Sequence, residues 1–175
     1  LRKHSDISLL KSMLEKADVL IENLKTGSLQ KIGLDLIDIK KKNPKLISCS
    51  ISGYGSQGEW AEMKAYDLLI QAETAITSIT GSQDAPGRVG ISIADIAAGM
   101  YSHSAILEAL IARGERGFGK HIEVSLFDAL AEWMTVPLLW NDYGGKAPER
   151  LGLAHPSICP YGAFKTLDGK IILLS

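Results

Sequence analysis

Leu9, Leu10, Met13 and Leu14 recur at the spacing of one helix face, with Ser5 and Asp6 ahead of them as capping candidates. The next segment changes character: residues 17–23 (ADVLIEN) form a short apolar run of the kind that fills a buried strand. Gly27-Ser28 and Gly33-Leu34-Asp35 punctuate two short helical stretches, residues 28–32 and 35–42, and Asn43-Pro44 ends the second. Residues 45–52 (KLISCSIS) read as a second strand running into a glycine-rich loop at 53–58. Helical periodicity returns at 68–79 and, rich in alanine, at 91–113, where the glycines between 114 and 119 close it. Residues 120–125 read as a third strand, and 126–143 as a helix kinked at Pro137. A loop over 144–157 leads to a hairpin pattern, residues 161–166 and 171–174 around a Leu-Asp-Gly-Lys turn.

Strands separated by helical crossovers predict an α/β fold with a mostly parallel sheet and flanking helices. The sheet strands are expected at 18–22, 46–52 and 122–125. The terminal hairpin breaks this rhythm, which places a change of architecture between Pro137 and Pro156. Residues 1–136 are then part of a large α/β domain, and 137–175 a linker and the beginning of a smaller one. The chain opens on Leu1 inside a charged amphipathic stretch and closes on an apolar run, Ile171 to Leu174, followed only by Ser175. A strand needs ladder partners, so the expectation is a piece from the middle of a longer protein.

Composition narrows the partners. Nineteen Lys+Arg against 20 Asp+Glu leave a formal charge of -1, without the basic excess of a nucleic-acid or anionic-membrane binder. The longest apolar runs fall far short of the roughly 20 residues of a membrane helix, and no signal-peptide pattern opens the chain. Cys49 and Cys159, both among apolar neighbours, are too few for a disulfide framework and point to a reducing compartment, cytoplasmic or another intracellular one.

Gly53-Tyr-Gly55-Ser-Gln-Gly58 follows a strand, but no helix begins at its end, so the dinucleotide-binding context fails and a turn is the better reading. His4, His103, His121 and His155 share no metal-ligand spacing, and no metal is implied. His155, before Pro156 in a loop, is a possible substrate contact; Lys40, Lys41 and Lys42 suit a solvated helix end. Asp95 is different: it is the only ionisable residue in GISIADIAAG, among small and apolar neighbours at the start of a long helix. Two readings stay open for it, a helix N-cap and a carboxylate nucleophile whose small neighbours leave room for a bulky acyl substrate. Lys64-Ala-Tyr66-Asp67 offers a cation, a phenol and a second carboxylate within four residues.

Taken in order, ADVLIEN with Gly27, NPKLI, SISGYG, Tyr66-Asp67-Leu68, Thr80-Gly81, IADIAAG and GFGKHIEVSLFD resemble the class III CoA-transferases, to which formyl-CoA and carnitine CoA-transferases belong and alpha-methylacyl-CoA racemase is related. The resemblance runs from about residue 18 to 174. It implies a Rossmann-like large domain and transfer of CoA from an acyl-CoA to a small carboxylic acid. It implies Asp95 as the nucleophile that forms an acyl anhydride and then an enzyme CoA-thioester, with no tightly bound cofactor. Asn23, Leu24, Lys31, Lys64 and Tyr66 are implied at the coenzyme A site, the lysines as point charges for its phosphates. The racemases carry His-Asp where this chain has Tyr66-Asp67, and a phenol is a poor substitute for an imidazole in proton exchange near neutrality. Transferase is therefore preferred to isomerase, with a non-catalytic CoA-binding piece as the third reading. Family chains are more than twice as long and interlock as homodimers, so the whole protein is expected to dimerise and this piece alone to be inactive.

Overall fold

The computed structural model describes residues 3–175. Helix α1 (His4–Leu14) begins one residue before Ser5, so Ser5 and Asp6 lie in its first turn and Lys3, without a side-chain cap, precedes it. Strand β1 (Val19–Glu22), helices α2 (Ser28–Lys31) and α3 (Leu36–Lys42) and strand β2 (Ile47–Ser52) follow. Asp35 is the α3 cap, its carboxylate accepting from the Ile37 N–H at 2.8 Å. The lysines at the end of α3 are solvated as expected, Lys41 pairing with Asp38 and Lys42 with Glu15.

The helix expected over 68–79 is two helices, α4 (Asp67–Glu73) and α5 (Ile76–Ile79). Between them Ala75 adopts φ 62°, the left-handed region that ends a helix, and the Thr74 hydroxyl caps the break by donating to the Ile70 carbonyl at 2.8 Å. Helix α6 (Ile93–Arg116) outruns its expected end by three residues, because it stops at Gly117 with φ 79° rather than at Gly114. Strand β3 (His121–Ser125) runs directly into α7 (Leu126–Ala131). Ser125 caps α7, accepting from the Asp128 N–H at 2.9 Å and donating back to its carboxylate at 2.6 Å. The expected 126–143 helix is interrupted by a single 3₁₀ turn at Glu132–Met134, so Pro137 sits in the first turn of α8 (Thr135–Gly144), where it needs no kink. Strands β4 (Gly162–Lys165) and β5 (Ile171–Leu174) form the expected antiparallel hairpin.

Strands β1, β2 and β3 form one parallel sheet in that order, with Val19 opposite Ile47 and Ser48 opposite His121. The fold is α/β, as expected, with strand ends within a residue of the expected ones. The central strand is buried on both faces. Ile47 and Cys49 pack with Ile106, Ala109 and Ile122 beneath α6, while the hydroxyl of buried Ser48 is matched by His121 Nδ1 at 2.8 Å. The alanines of α6 explain its composition: Ala94, Ala97 and Ala98 are buried against Ile70, Leu126 and Leu130, where small side chains let α4 and α7 approach closely. A third cluster, Leu14, Leu29, Leu34, Ile39 and Leu46, fastens α1 to α3. Burying each such Leu or Ile contributes about 1.5–3 kcal/mol. Arg113, near the end of α6, donates to the Lys45 carbonyl at 3.0 Å and to the Asp18 carboxylate at 2.9 Å, tying that end to the entries of β1 and β2.

Among the described residues no helix is long and apolar enough to cross a membrane. Cys49 is buried, but Cys159 is exposed, contrary to the expectation from its apolar neighbours.

Candidate active site

In an open parallel sheet, ligands bind beyond the carboxyl ends of the strands, where loops diverge and backbone groups are unspent. Here a cavity of about 350 Å³ opens at the ends of β1 and β2. One wall is the loop that leaves β1, Asn23 to Thr26; the floor is Ser52 and Gly53; the other wall is residues 61–66.

The floor has to be glycine. A Cβ on Gly53 would lie 2.2 Å from the Ala65 Cβ, so the absent side chain lets the second wall close over the strand end. The Gly53 carbonyl accepts from the Phe127 N–H of α7 at 3.0 Å, which holds it from the opposite side. The loop between floor and wall is pinned by an aromatic cluster, Tyr54, Trp60 and Phe127, with ring centroids 5.4–6.0 Å apart. The glycines of 53–58 thus shape a turn, as read from the sequence, and Ser56 ties that turn to the sheet by donating to the Glu123 carboxylate at 2.9 Å.

Four of the expected residues, Asn23, Leu24, Lys64 and Tyr66, come together on this cavity although they span 44 positions of sequence. Lys31 lies off the lining, close enough that its charge acts on Glu62 of the second wall. Lys25, which sequence reasoning missed, pairs with Glu62 across the mouth at 2.5 Å. That hydrogen bond and the Lys25 charge hold the Glu62 carboxyl below its usual range, and Lys31 adds to the effect. The pair is exposed and contributes little to stability. Among the described residues Lys31 and Lys64 form no ion pair, which leaves two cations free at the rim. The position of Lys25, next to Leu24, was the available signal.

Asp95 is not on the cavity lining; it stands in the first turn of α6. It is not the helix cap. Ser92 holds the cap position without a side-chain bond, and the Ala94 N–H is instead satisfied by Asp67, whose Oδ1 accepts at 2.9 Å. Asp67 follows Tyr66 of the cavity wall, so cavity and Asp95 are linked through three consecutive contacts: Tyr66 to Asp67, Asp67 to Ala94, Ala94 to Asp95. Asp95 is exposed, and among the described residues its carboxylate accepts no hydrogen bond. Partial desolvation, with the negative charge of Asp67 adding to it, raises its pKa above the ordinary aspartate value. The result is an accessible carboxylate with none of its lone pairs committed.

Of the other candidates, His103 is exposed on α6. His155 accepts from the Ser157 N–H at 3.2 Å and packs on Tyr161, ring centroids 5.1 Å apart, away from the cavity. Among the described residues no three His, Cys, Asp or Glu side chains gather as metal ligands would.

Known proteins are similar to this chain in sequence and in fold. A succinate–glutarate CoA-transferase from Agrobacterium fabrum is 41% identical over 167 residues, 95% of this chain and 42% of that protein. An acetyl-CoA:oxalate CoA-transferase from Acetobacter aceti is 37% identical over 175 residues, covering 99% of this chain and 45% of that one. The chain therefore spans less than half the length of these relatives. The crystal structure of a CAIB/BAIF family protein from Brucella suis superposes with a TM-score of 0.89 at 41% identity, over 96% of this chain and 45% of that structure. The model of CoA-transferase family III matches residues 1–175 without remainder, and the chain belongs to that family.

Proposed function

We propose that the whole protein transfers coenzyme A from an acyl-CoA to a small carboxylic acid, with Asp95 as the nucleophile. One observation carries the assignment of the nucleophile: Asp95 stands at the head of α6 with its carboxylate unengaged, while the capping task is done by Asp67. The Asp95 oxygen attacks the thioester carbonyl, the C–S bond breaks, and CoA leaves as thiolate from a mixed anhydride. The thiolate then attacks the aspartyl carbonyl and expels the first acid as carboxylate, leaving an aspartyl CoA-thioester. An acceptor carboxylate attacks that thioester to form a second anhydride, and the returning thiolate takes the new acyl group and frees Asp95. No proton is gained or lost over the cycle. One difficult displacement becomes several easier ones, the ordinary gain of covalent catalysis.

Asn23, Leu24, Lys64 and Tyr66 line the CoA channel in this reading, and Lys31 approaches from the rim; the two unpaired lysines meet phosphate as point charges. Residues 1–136 belong to the large CoA-binding domain and 137–175 open the smaller one, and the whole protein works as a homodimer in the cytoplasm. The names of the relatives favour dicarboxylic acids as the exchanged partners. Replacing Asp95 by Asn in the full-length protein tests the assignment. Asn preserves size and capping ability but cannot form an anhydride, so turnover should fall by several orders of magnitude with CoA affinity retained. An active Asp95→Asn enzyme would overturn it.

A further inference from the structure

Asp67 does more than follow the cavity wall. Its Oδ1 accepts from the Ala94 N–H at 2.9 Å, and its Oδ2 accepts from Gln71 Nε2 at 2.7 Å. Gln71 is wholly buried, and its remaining amide atoms are both turned to one residue: Oε1 accepts from the Val89 N–H at 2.8 Å, and Nε2 also reaches the Val89 carbonyl at 3.5 Å. Two side chains one turn apart on α4 thus grip both sides of residues 89–94, the segment that delivers the chain into α6. A buried amide with every polar atom matched rigidifies what it binds.

We infer that Asp67 and Gln71 are positioning residues, a clamp from α4 that fixes the head of α6 and with it the direction of the Asp95 carboxylate toward the reacting carbonyl. The inference rests on Asp95 as nucleophile and extends that reading to two residues that do not themselves touch the substrate's reacting atoms. Only a double acceptor serves at position 67. Asn there has a single oxygen, so either Ala94 or Gln71 loses its partner. Capping by a residue from another helix also explains why Asp95 need not bond its own backbone. The Asp67 charge has a second effect, since it opposes ionisation of Asp95. Among the described residues it is the charged group acting on that carboxyl.

The test uses the full-length enzyme with Asp67→Asn, Gln71→Met and Asp95→Asn variants, and measures kcat, CoA affinity by calorimetry and the pH dependence of kcat/KM for acyl-CoA, whose acid limb reports the free enzyme. A misdirected nucleophile loses roughly 10- to 100-fold in rate. Both clamp variants should lose that much in kcat with CoA affinity changed less than about twofold, and Asp67→Asn should shift the acid limb to lower pH while Gln71→Met leaves it in place. Gln71→Met keeps size and removes the grip on Val89, so it reports on the clamp if Asp67→Asn does not fold. Wild-type kcat and acid limb in the folded clamp variants, beside an inactive Asp95→Asn, would overturn the clamp and leave the nucleophile standing. An active Asp95→Asn would remove the nucleophile and the clamp with it. A purely structural role would lower stability without separating kcat from affinity or moving the acid limb, and that outcome too would overturn it.

Discussion

Adding one methyl group to the cavity floor should damage CoA binding, and removing one from the facing wall should restore it. In Gly53→Ala the new Cβ lies 2.2 Å from the Ala65 Cβ, whereas carbon atoms rest at about 3.5–4.0 Å. The wall must retreat by roughly 1.5 Å, because Gly53 itself is held from behind by the Phe127 N–H. Overpacking of this kind costs about 1–3 kcal/mol. Ala65 stands between Lys64 and Tyr66, so its retreat carries both lining residues with it. A displacement of about 1 Å costs on the order of 100-fold in a well-positioned site, so kcat/KM for acyl-CoA should drop at least tenfold. In Gly53→Ala/Ala65→Gly the clashing atom is gone and the next nearest, the Ala65 Cα at 3.6 Å, is in ordinary contact. The double variant should therefore regain most of the lost stability and affinity, read by urea unfolding and by calorimetry with CoA. Normal CoA affinity in Gly53→Ala, or no rescue in the double variant, would refute the close approach as the reason for glycine.

Ala75 holds a left-handed conformation that costs a non-glycine residue roughly 1–2 kcal/mol, against about 0.5–1 kcal/mol for the extra unfolded-state freedom of glycine. Ala75→Gly should thus stabilise by up to about 1.5 kcal/mol, and a loss in urea unfolding would contradict that backbone. If Asp95 attacks as a carboxylate, as proposed, then with its pKa raised by partial desolvation and by Asp67 activity should be present above the raised value and lost as pH falls through it. The acid limb of kcat/KM, which reports the free enzyme, should accordingly lie above the ordinary aspartate value of 3.8, and a limb at or below that value would be inconsistent with the site. Cys49 is buried and burial pushes its thiol up, so iodoacetamide should leave it unmodified in native protein and label it only after denaturation. Lys64→Ala should weaken CoA binding by about tenfold, the value of one charge-assisted contact, with a smaller difference from wild type at high salt; unchanged affinity would remove Lys64 from the phosphate site.

The sheet was legible because its strands carry apolar residues in short stretches bounded by turn residues, as a continuous run in Val19–Glu22 and alternating with serine in Ile47–Ser52. The breaks within helices were not. Ala75 carries no glycine or asparagine signal for its left-handed turn, and nothing in Glu132–Met134 marks a 3₁₀ segment. Pro137 drew attention to the wrong place, since proline is at ease in a first helical turn. The cavity residues Asn23, Leu24, Lys64 and Tyr66 were reached through the family resemblance, and their meeting depends on the parallel register of β1 and β2. Asp67 and Gln71 show what a one-dimensional reading misses. Asp67 caps a helix that begins 26 positions later, Ile93 minus Asp67, and Gln71 is buried polar in an otherwise ordinary helix. Their partners are chosen by the packing of α4 on α6, and no local pattern encodes that.

The most direct test of Asp95 as nucleophile is to trap the intermediate. Full-length protein is incubated with acyl-CoA, quenched with hydroxylamine, digested and sequenced by mass spectrometry. An activated aspartyl carbonyl, as anhydride or CoA-thioester, is converted to a hydroxamate, whereas a free carboxylate does not react. The expected result is a hydroxamate on Asp95 that requires acyl-CoA and is absent from Asp95→Asn. Modification of another carboxylate, with Asp95 unlabelled under turnover, would contradict the mechanism.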